Sequence, residues 1–146
     1  MSRIDFAFGV EDRFRAACEV ARRQFLRGRK TIVYTKDMRR LSKFDHMLWE
    51  ADKTSLIPHA LCSHNLAEHA PIILTDKEPE RLIKVFSPEK VWLLNLDIEC
   101  PPGYKSFELI LEIVSNIEED KQAARRRWQQ YREAGHNVHA HNLQLG

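Results

Sequence analysis

The chain has 146 residues, of which 43% are hydrophobic and 30% charged, with a formal net charge of +2. Those values fit one globular domain over residues 1–146, long enough to bury a sizeable core. The near-balanced charge excludes a polycation built to coat nucleic acid, so any basic function has to come from local clustering. The first dozen residues carry Asp5, Glu11 and Asp12 and no apolar stretch of the signal-peptide kind. No apolar run approaches the roughly 20 residues that span a bilayer. Cys18, Cys62 and Cys100 lack CxxC spacing. A sparse, odd set fits reduced thiols in a cytoplasmic protein better than a disulfide framework.

In chain order, RIDFAF at 3–8 alternates and suits a strand. Residues 11–27 place Phe14, Ala17, Cys18, Ala21 and Phe25 at helical spacing, with Gly28 just past the end. KTIVYT at 30–35 is a β-branched strand, and residues 37–50 are helical again through Met38, Leu41, Phe44 and Leu48. This β-α-β-α alternation predicts an α/β domain with three layers: a mostly parallel sheet between flanking helices. Residues 54–70 have little periodicity and read as a loop or short extended segment. PIILTD at 71–76 is a strand that opens on its proline. Residues 79–86 fit a short helix or a strand-like excursion equally well. VWLLNL at 91–96 is the strongest buried-strand signal, and CPPGY at 100–104 is a turn.

The spacing then predicts one long C-terminal helix over 105–134. Its seam is Phe107, Ile110, Val114, Ile117, Lys121, Ala124, Trp128 and Tyr131, in steps of three and four. Gly135 ends it as a left-handed C′ residue, and the tail after it reads as weakly ordered.

Three site chemistries fit poorly. A phosphate cradle needs glycines directly after the first strand, and the first turn, FGVEDRF, has one glycine and two carboxylates. His59, Cys62, His64 and His69 in the middle loop, and His136, His139 and His141 in the tail, match no zinc-ligand spacing. Asp76 and Asp97 stand at strand ends, where catalytic groups occur in α/β folds, but such residues serve equally as turn or cap residues. Neither a cofactor nor a metal is expected. The C-terminal helix carries the clearer signal. Lys121, Arg125, Arg126, Arg127 and Arg132 fall within twelve residues that include no acid. Lys121, Arg125, Trp128, Gln129 and Arg132 share one helical stripe. A solvated helix end explains the charge, because cations suit a helix C-terminus. The ring among them suits a short ligand that bears both carboxylates and an apolar group.

Three stretches also carry a family resemblance: RIDFAF, LWEADKTSLIPHAL at 48–61 and KQAARRRWQQYREAGHNV at 121–138. The sequence resembles the chi subunits of bacterial DNA polymerase III over essentially its whole length. The resemblance implies a nucleotide-binding-type fold without the phosphate loop, as the missing glycines indicate independently. It also implies no catalysis and two protein partners. One is the psi subunit, which leads to the clamp loader; the other is the acidic, Pro-Phe-ended C-terminal tip of single-stranded DNA-binding protein. Residue by residue, it assigns the tip site to Val114, Lys121, Arg125, Trp128, Gln129, Arg132 and Gly135. The psi contact falls on Trp49, Leu56, Ile57, Pro58 and His59, for which core packing is an equal alternative. The chain departs from the family pattern with Trp128 at a usual tyrosine, Gln129 at a common lysine and His136 where an aromatic often stands. The expected function is therefore an adaptor that reaches DNA only indirectly. A protein that binds nucleic acid directly through its C-terminal helix is the alternative, and an enzyme using Asp76 or Asp97 comes third.

Overall fold

A computed structural model describes residues 2–51, 59–61, 70–83 and 91–143, with the backbone alone at 51 and 59–61. Seven strands lie in one sheet in the order β3-β4-β2-β5-β6-β1-β7. They are β1 (Arg3–Val10), β2 (Lys30–Tyr34), β3 (His59–Leu61), β4 (Ile72–Thr75), β5 (Val91–Asn95), β6 (Leu109–Ser115) and β7 (Asn137–Asn142). Every pairing is parallel. The helices are α1 (Arg13–Leu26), α2 (Met38–Ala51) and α3 (Glu118–Glu133), with 3-10 turns at Pro79–Leu82 and Tyr104–Ser106. No helix among the described residues is long and apolar enough to cross a membrane.

The three-layer α/β expectation holds. The central strands are continuous apolar runs because both of their faces are covered. KTIVY and IILT are buried almost throughout. On one face Ala17, Cys18, Leu41, Phe44 and Leu48 of α1 and α2 pack on Val33, Leu74, Leu94 and Ile113. On the other, Ala124 and Tyr131 of α3 pack with Ile4, Phe6, Leu93, Ile110 and Val114. Residues 79–82, which fitted helix and strand equally, form a 3-10 turn with Pro79 in its first turn.

The helix expected over 105–134 is corrected to a strand followed by a helix of 16 residues. Ile110 and Val114 share a face at the two-residue period of a strand as well as at the helical period, so a spacing of four could not separate the two. The signals that separate them are local. LILEIV is rich in β-branched and aliphatic residues, which favour strands. Glu118, Glu119 and Asp120 then occupy the first turn of α3, where the macrodipole favours acids. Ser115 marks the junction: its hydroxyl donates to Asp120 Oδ2 at 2.6 Å and accepts the Ile117 N–H at 3.3 Å. Ile117, placed in the seam by its spacing, is 60% exposed at the N-cap.

The tail is also corrected. It forms edge strand β7, paired with β1 from Arg3↔Asn137 to Phe8↔Asn142. Gly135, at φ +86°, makes the reversal. The His136 N–H reaches the Tyr131 carbonyl at 3.2 Å, and the Gly135 N–H reaches Arg132 at 3.0 Å. This is the paired closure of a Schellman cap, and it aims the chain back along β1.

Candidate functional site

The turn after β1 and the start of α1 are held by their own side chains. The Asp12 carboxylate caps α1, accepting from the N–H groups of Phe14 (2.9 Å) and Arg15 (3.2 Å). Buried Arg13 closes the carboxyl ends of β5 and β6. Its Nε donates to the Ile113 carbonyl at 2.9 Å, and its Nη2 to those of Asp97 at 2.9 Å and Asn95 at 3.3 Å. Burial, together with the neighbouring Arg127 charge, lowers the Arg13 pKa from its ordinary value. Asp97 accepts from Thr35 Oγ1 at 3.0 Å and from the Lys36 and Glu99 N–H groups at 3.4 Å, which is the work of a turn residue.

Behind Arg13 lies a buried polar cluster that no local motif announces. Glu112 of β6 turns onto the α3 face. Arg127 Nε donates to its Oε1 at 3.1 Å, and Asn95 Nδ2 and Tyr131 Oη donate to its Oε2 at 2.9 and 2.7 Å. Arg127 Nη1 also reaches the Ile98 carbonyl at 3.0 Å. Tyr131 is therefore a hydrogen-bond donor as well as the apolar seam residue expected. Burial, then Glu112, raises its pKa well above the ordinary tyrosine value. A buried carboxylate this fully satisfied belongs to the architecture: both of its oxygens already accept hydrogen bonds.

An open pocket lies one turn away on the same helix. It has a volume of about 450 Å³ and sits among α3 and the carboxyl ends of β1, β6 and β7. Its apolar part is Phe6, Phe8, Val114 and Trp128, and its cationic rim is Lys121 and Arg125. A β-bulge shapes its floor. The β1–β6 register slips between Ala7 and Val10, with Gly9 at φ +85°, and the bend leaves Phe8 38% exposed. Phe6 braces Trp128 at a ring separation of 5.1 Å and 55° between planes. Arg125 Nη1 lies 3.8 Å from Glu118 Oε1, and both side chains are largely exposed. A pair of that kind is weak and leaves the guanidinium available.

The structure thus brings Val114, Lys121, Arg125 and Trp128 into one pocket. Gln129 and Arg132 line a second depression of about 360 Å³ on the other side of Trp128, which they share with Glu133. Gln129 Nε2 donates to Glu133 Oε1 at 3.1 Å. Gly135 lines neither depression; it is the C′ residue of the cap. Trp49 is 46% exposed on α2. His59 contributes its backbone to β3, and Leu56, Ile57 and Pro58 lie outside the described residues, as do Cys62, His64 and His69. The tail histidines are apart in role: His136 Nδ1 accepts the Ser2 N–H at 3.0 Å, and His141 Nε2 lies 3.3 Å from Asp5.

Comparison with known sequences places the chain in a family. A family description, "DNA polymerase III chi subunit, HolC", matches residues 1–139. The chain belongs to that family. It is 28% identical over 147 residues to the DNA polymerase III subunit chi of Pseudomonas aeruginosa, covering 98% of each chain. It is 28% identical over 127 residues to that of Haemophilus influenzae, covering 87% of this chain and 85% of the relative. The Escherichia coli subunit is 25% identical over 121 residues, at 83% and 79% coverage. The family's name makes this a replication accessory protein.

Proposed function

We propose that this protein is a non-catalytic cytoplasmic adaptor of DNA replication. It links the clamp loader, through psi, to the acidic C-terminal tip of single-stranded DNA-binding protein. The observation that carries the reading is the pocket chemistry: an apolar recess walled by Phe6, Val114 and Trp128, with Lys121 and Arg125 on its rim. A chain end that combines carboxylates with a terminal aromatic ring matches both parts. The guanidinium pairs with the terminal carboxylate, and the ring fills the recess. Gln129, Arg132 and Gly135 flank this recess rather than line it, so they act on the upstream acidic residues or on the helix end.

Titration with an acidic peptide ending in Pro-Phe, in parallel with bare oligo-dT, tests the reading. A charge-assisted hydrogen bond contributes roughly 1.5–3 kcal/mol. Arg125→Ala should therefore weaken the peptide by about ten- to a hundredfold. Amidating the peptide's C-terminus should cost as much in the parent and little more in the variant, because both changes remove one interaction. Unchanged affinity in Arg125→Ala would move the site elsewhere. Direct nucleic-acid binding through α3 is the weaker reading, because Trp128 already packs its ring against Phe6 and offers little surface for stacking bases.

For psi, the exposed indole of Trp49 is the anchor within the described residues. Trp49→Glu should abolish psi binding and leave the thermal transition nearly intact. A collapsed transition would make the residue part of the packing instead.

A further inference from the structure

The densest basic stretch in the chain is not on α3. RRQFLRGRK, residues 22–30, holds Arg22, Arg23, Arg27, Arg29 and Lys30 in nine positions that include no acid. It forms the end of α1 and the entry to β2, and it borders a cleft of about 430 Å³ on the sheet face opposite the α3 pocket.

The cleft exists because α1 packs on β2 and β6, while the same face of β1 and β7 stays open: Asp5 and Ala7 are only half-buried, and His139 and His141 are exposed. An uncovered face is unusual for a parallel sheet, whose two faces are normally both packed. Ala7 and Leu111 form its apolar floor, Arg23 and Arg27 one wall and His141 the other, with Trp92 and Arg29 at one end. The Arg29 guanidinium lies 5.0 Å from the centre of the Trp92 ring, so a cation and a π-surface are held together. Arg27 is exposed and has no ion-pair partner among the described residues. Among the described residues, Arg23 pairs with the half-exposed Glu19, at 3.4 Å. Two acids, Glu19 not among them, line the cleft itself. Asp5 is held by Arg3 and His141, each at 3.3 Å, and Glu112 turns its carboxylate to the other face, toward Arg127.

We infer that this cleft binds a short segment of single-stranded DNA, with phosphates on Arg23 and Arg27 and a base against the Arg29–Trp92 pair. A polyanion whose units each carry a flat ring is what arginines interleaved with an indole select, and the combination is tolerant of sequence. An acidic peptide would satisfy the charges but leave the π-surface unused. The interaction goes beyond the adaptor function, in which DNA is reached only through its coat protein, and it lies on the face opposite the tip pocket. Both can therefore operate at once, adding a weak local attachment to a tethered protein.

The test uses the full chain and labelled oligo-dT, followed by anisotropy at several salt concentrations. Saturable binding at low salt is expected. Arg23→Glu with Arg27→Glu should weaken it at least tenfold and reduce the slope of log K against log[salt] by about 1.4, at roughly 0.7 for each phosphate no longer neutralised. Oligo-dT should quench the tryptophan fluorescence of the parent and quench Trp92→Phe markedly less. The acidic Pro-Phe peptide should bind the double variant within about twofold of the parent. Four results would overturn the proposal: no saturable binding at low salt, binding unmoved by the double reversal, loss through Arg125→Ala instead, or displacement of oligo-dT from the cleft by polyglutamate at equal charge concentration.

Discussion

Arg125 and Arg127 are two residues apart on α3 and have opposite fates. Arg127 points into the sheet and is held by Glu112 and the Ile98 carbonyl, almost wholly buried. Arg125 stands on the pocket rim, with only a loose, exposed pairing to Glu118. The same side-chain chemistry serves architecture in one place and, in the proposed function, recognition in the other. The difference lies in where each guanidinium stands: the first is buried against internal acceptors, out of reach of a ligand, and the second is open to one.

The comparison breaks most visibly at the buried side. Arg127→Ala takes from Glu112 its closest cation and leaves only the longer 3.9 Å approach of Arg13, and breaking a buried pair costs roughly 3–5 kcal/mol. In a chain of this size that lowers the thermal midpoint by about 10 °C, at roughly 2–4 °C per kcal/mol. Combining Arg127→Met with Glu112→Gln should recover part of the loss, since it removes the stranded carboxylate, but not all of it, because buried Arg13, 3.9 Å from Glu112 Oε1, then loses that acid. If Arg127→Ala melts like the parent, the cluster does not hold the fold. Arg125→Ala should do the reverse: an unchanged melt, with tip-peptide binding weakened by about ten- to a hundredfold as a charge-assisted bond disappears. A smaller change sharpens the point. Glu118→Gln frees the Arg125 guanidinium and removes a like charge from the path of an acidic ligand. Peptide affinity should rise by a few-fold at low salt, with the gain shrinking as salt screens it. A fall in affinity would mean that Glu118 positions Arg125 rather than competes for it.

The smallest effect concerns the strand that closes the pocket. Burial, with the nearby positive charge of Lys105 adding to it, lowers the His136 pKa below its ordinary 6.5. The unfolded chain therefore binds the proton more readily, and stability from this group is present above about pH 6.5 and lost as the pH falls. Its Nδ1 accepts from Ser2 N–H, so protonation also removes a tie between β7 and β1. Melting between pH 7.5 and 5.5 should fall less in His136→Asn than in the parent, because asparagine can accept the same bond without titrating. An identical pH dependence would exclude this histidine as the source.

Much of the fold was legible from local pattern. VWLLNL, IILT and KTIVYT are apolar runs bounded by turn residues, and each became a strand buried on both faces. The lack of a phosphate cradle was legible for the same reason, since a glycine-rich turn is either written after the first strand or not. Asp12 in that turn proved to be the helix cap. The stripe on α3 was legible in part. Lys121, Arg125 and Trp128 meet Val114 because all lie on the helix or strand face that turns toward one opening, whereas Gln129 and Arg132 rotate past Trp128 to its other side.

What the sequence determined by itself was therefore whatever depends on neighbours a few residues away: element type in the apolar runs, caps, turns, and the charge on α3. The tertiary structure alone decided the rest. A spacing of four between Ile110 and Val114 satisfies strand and helix alike, and only the open position between β5 and β1 in the sheet makes 109–115 a strand. Residues 137–142 carry almost no strand signal, but β1 offers them an edge and Gly135 aims them at it. Nor could local pattern show which arginine of three consecutive ones would be buried, because Arg127 is chosen by Glu112, fifteen residues away on a different element. A buried charge is tolerated only where a partner waits for it, and where partners wait is a property of the assembled sheet.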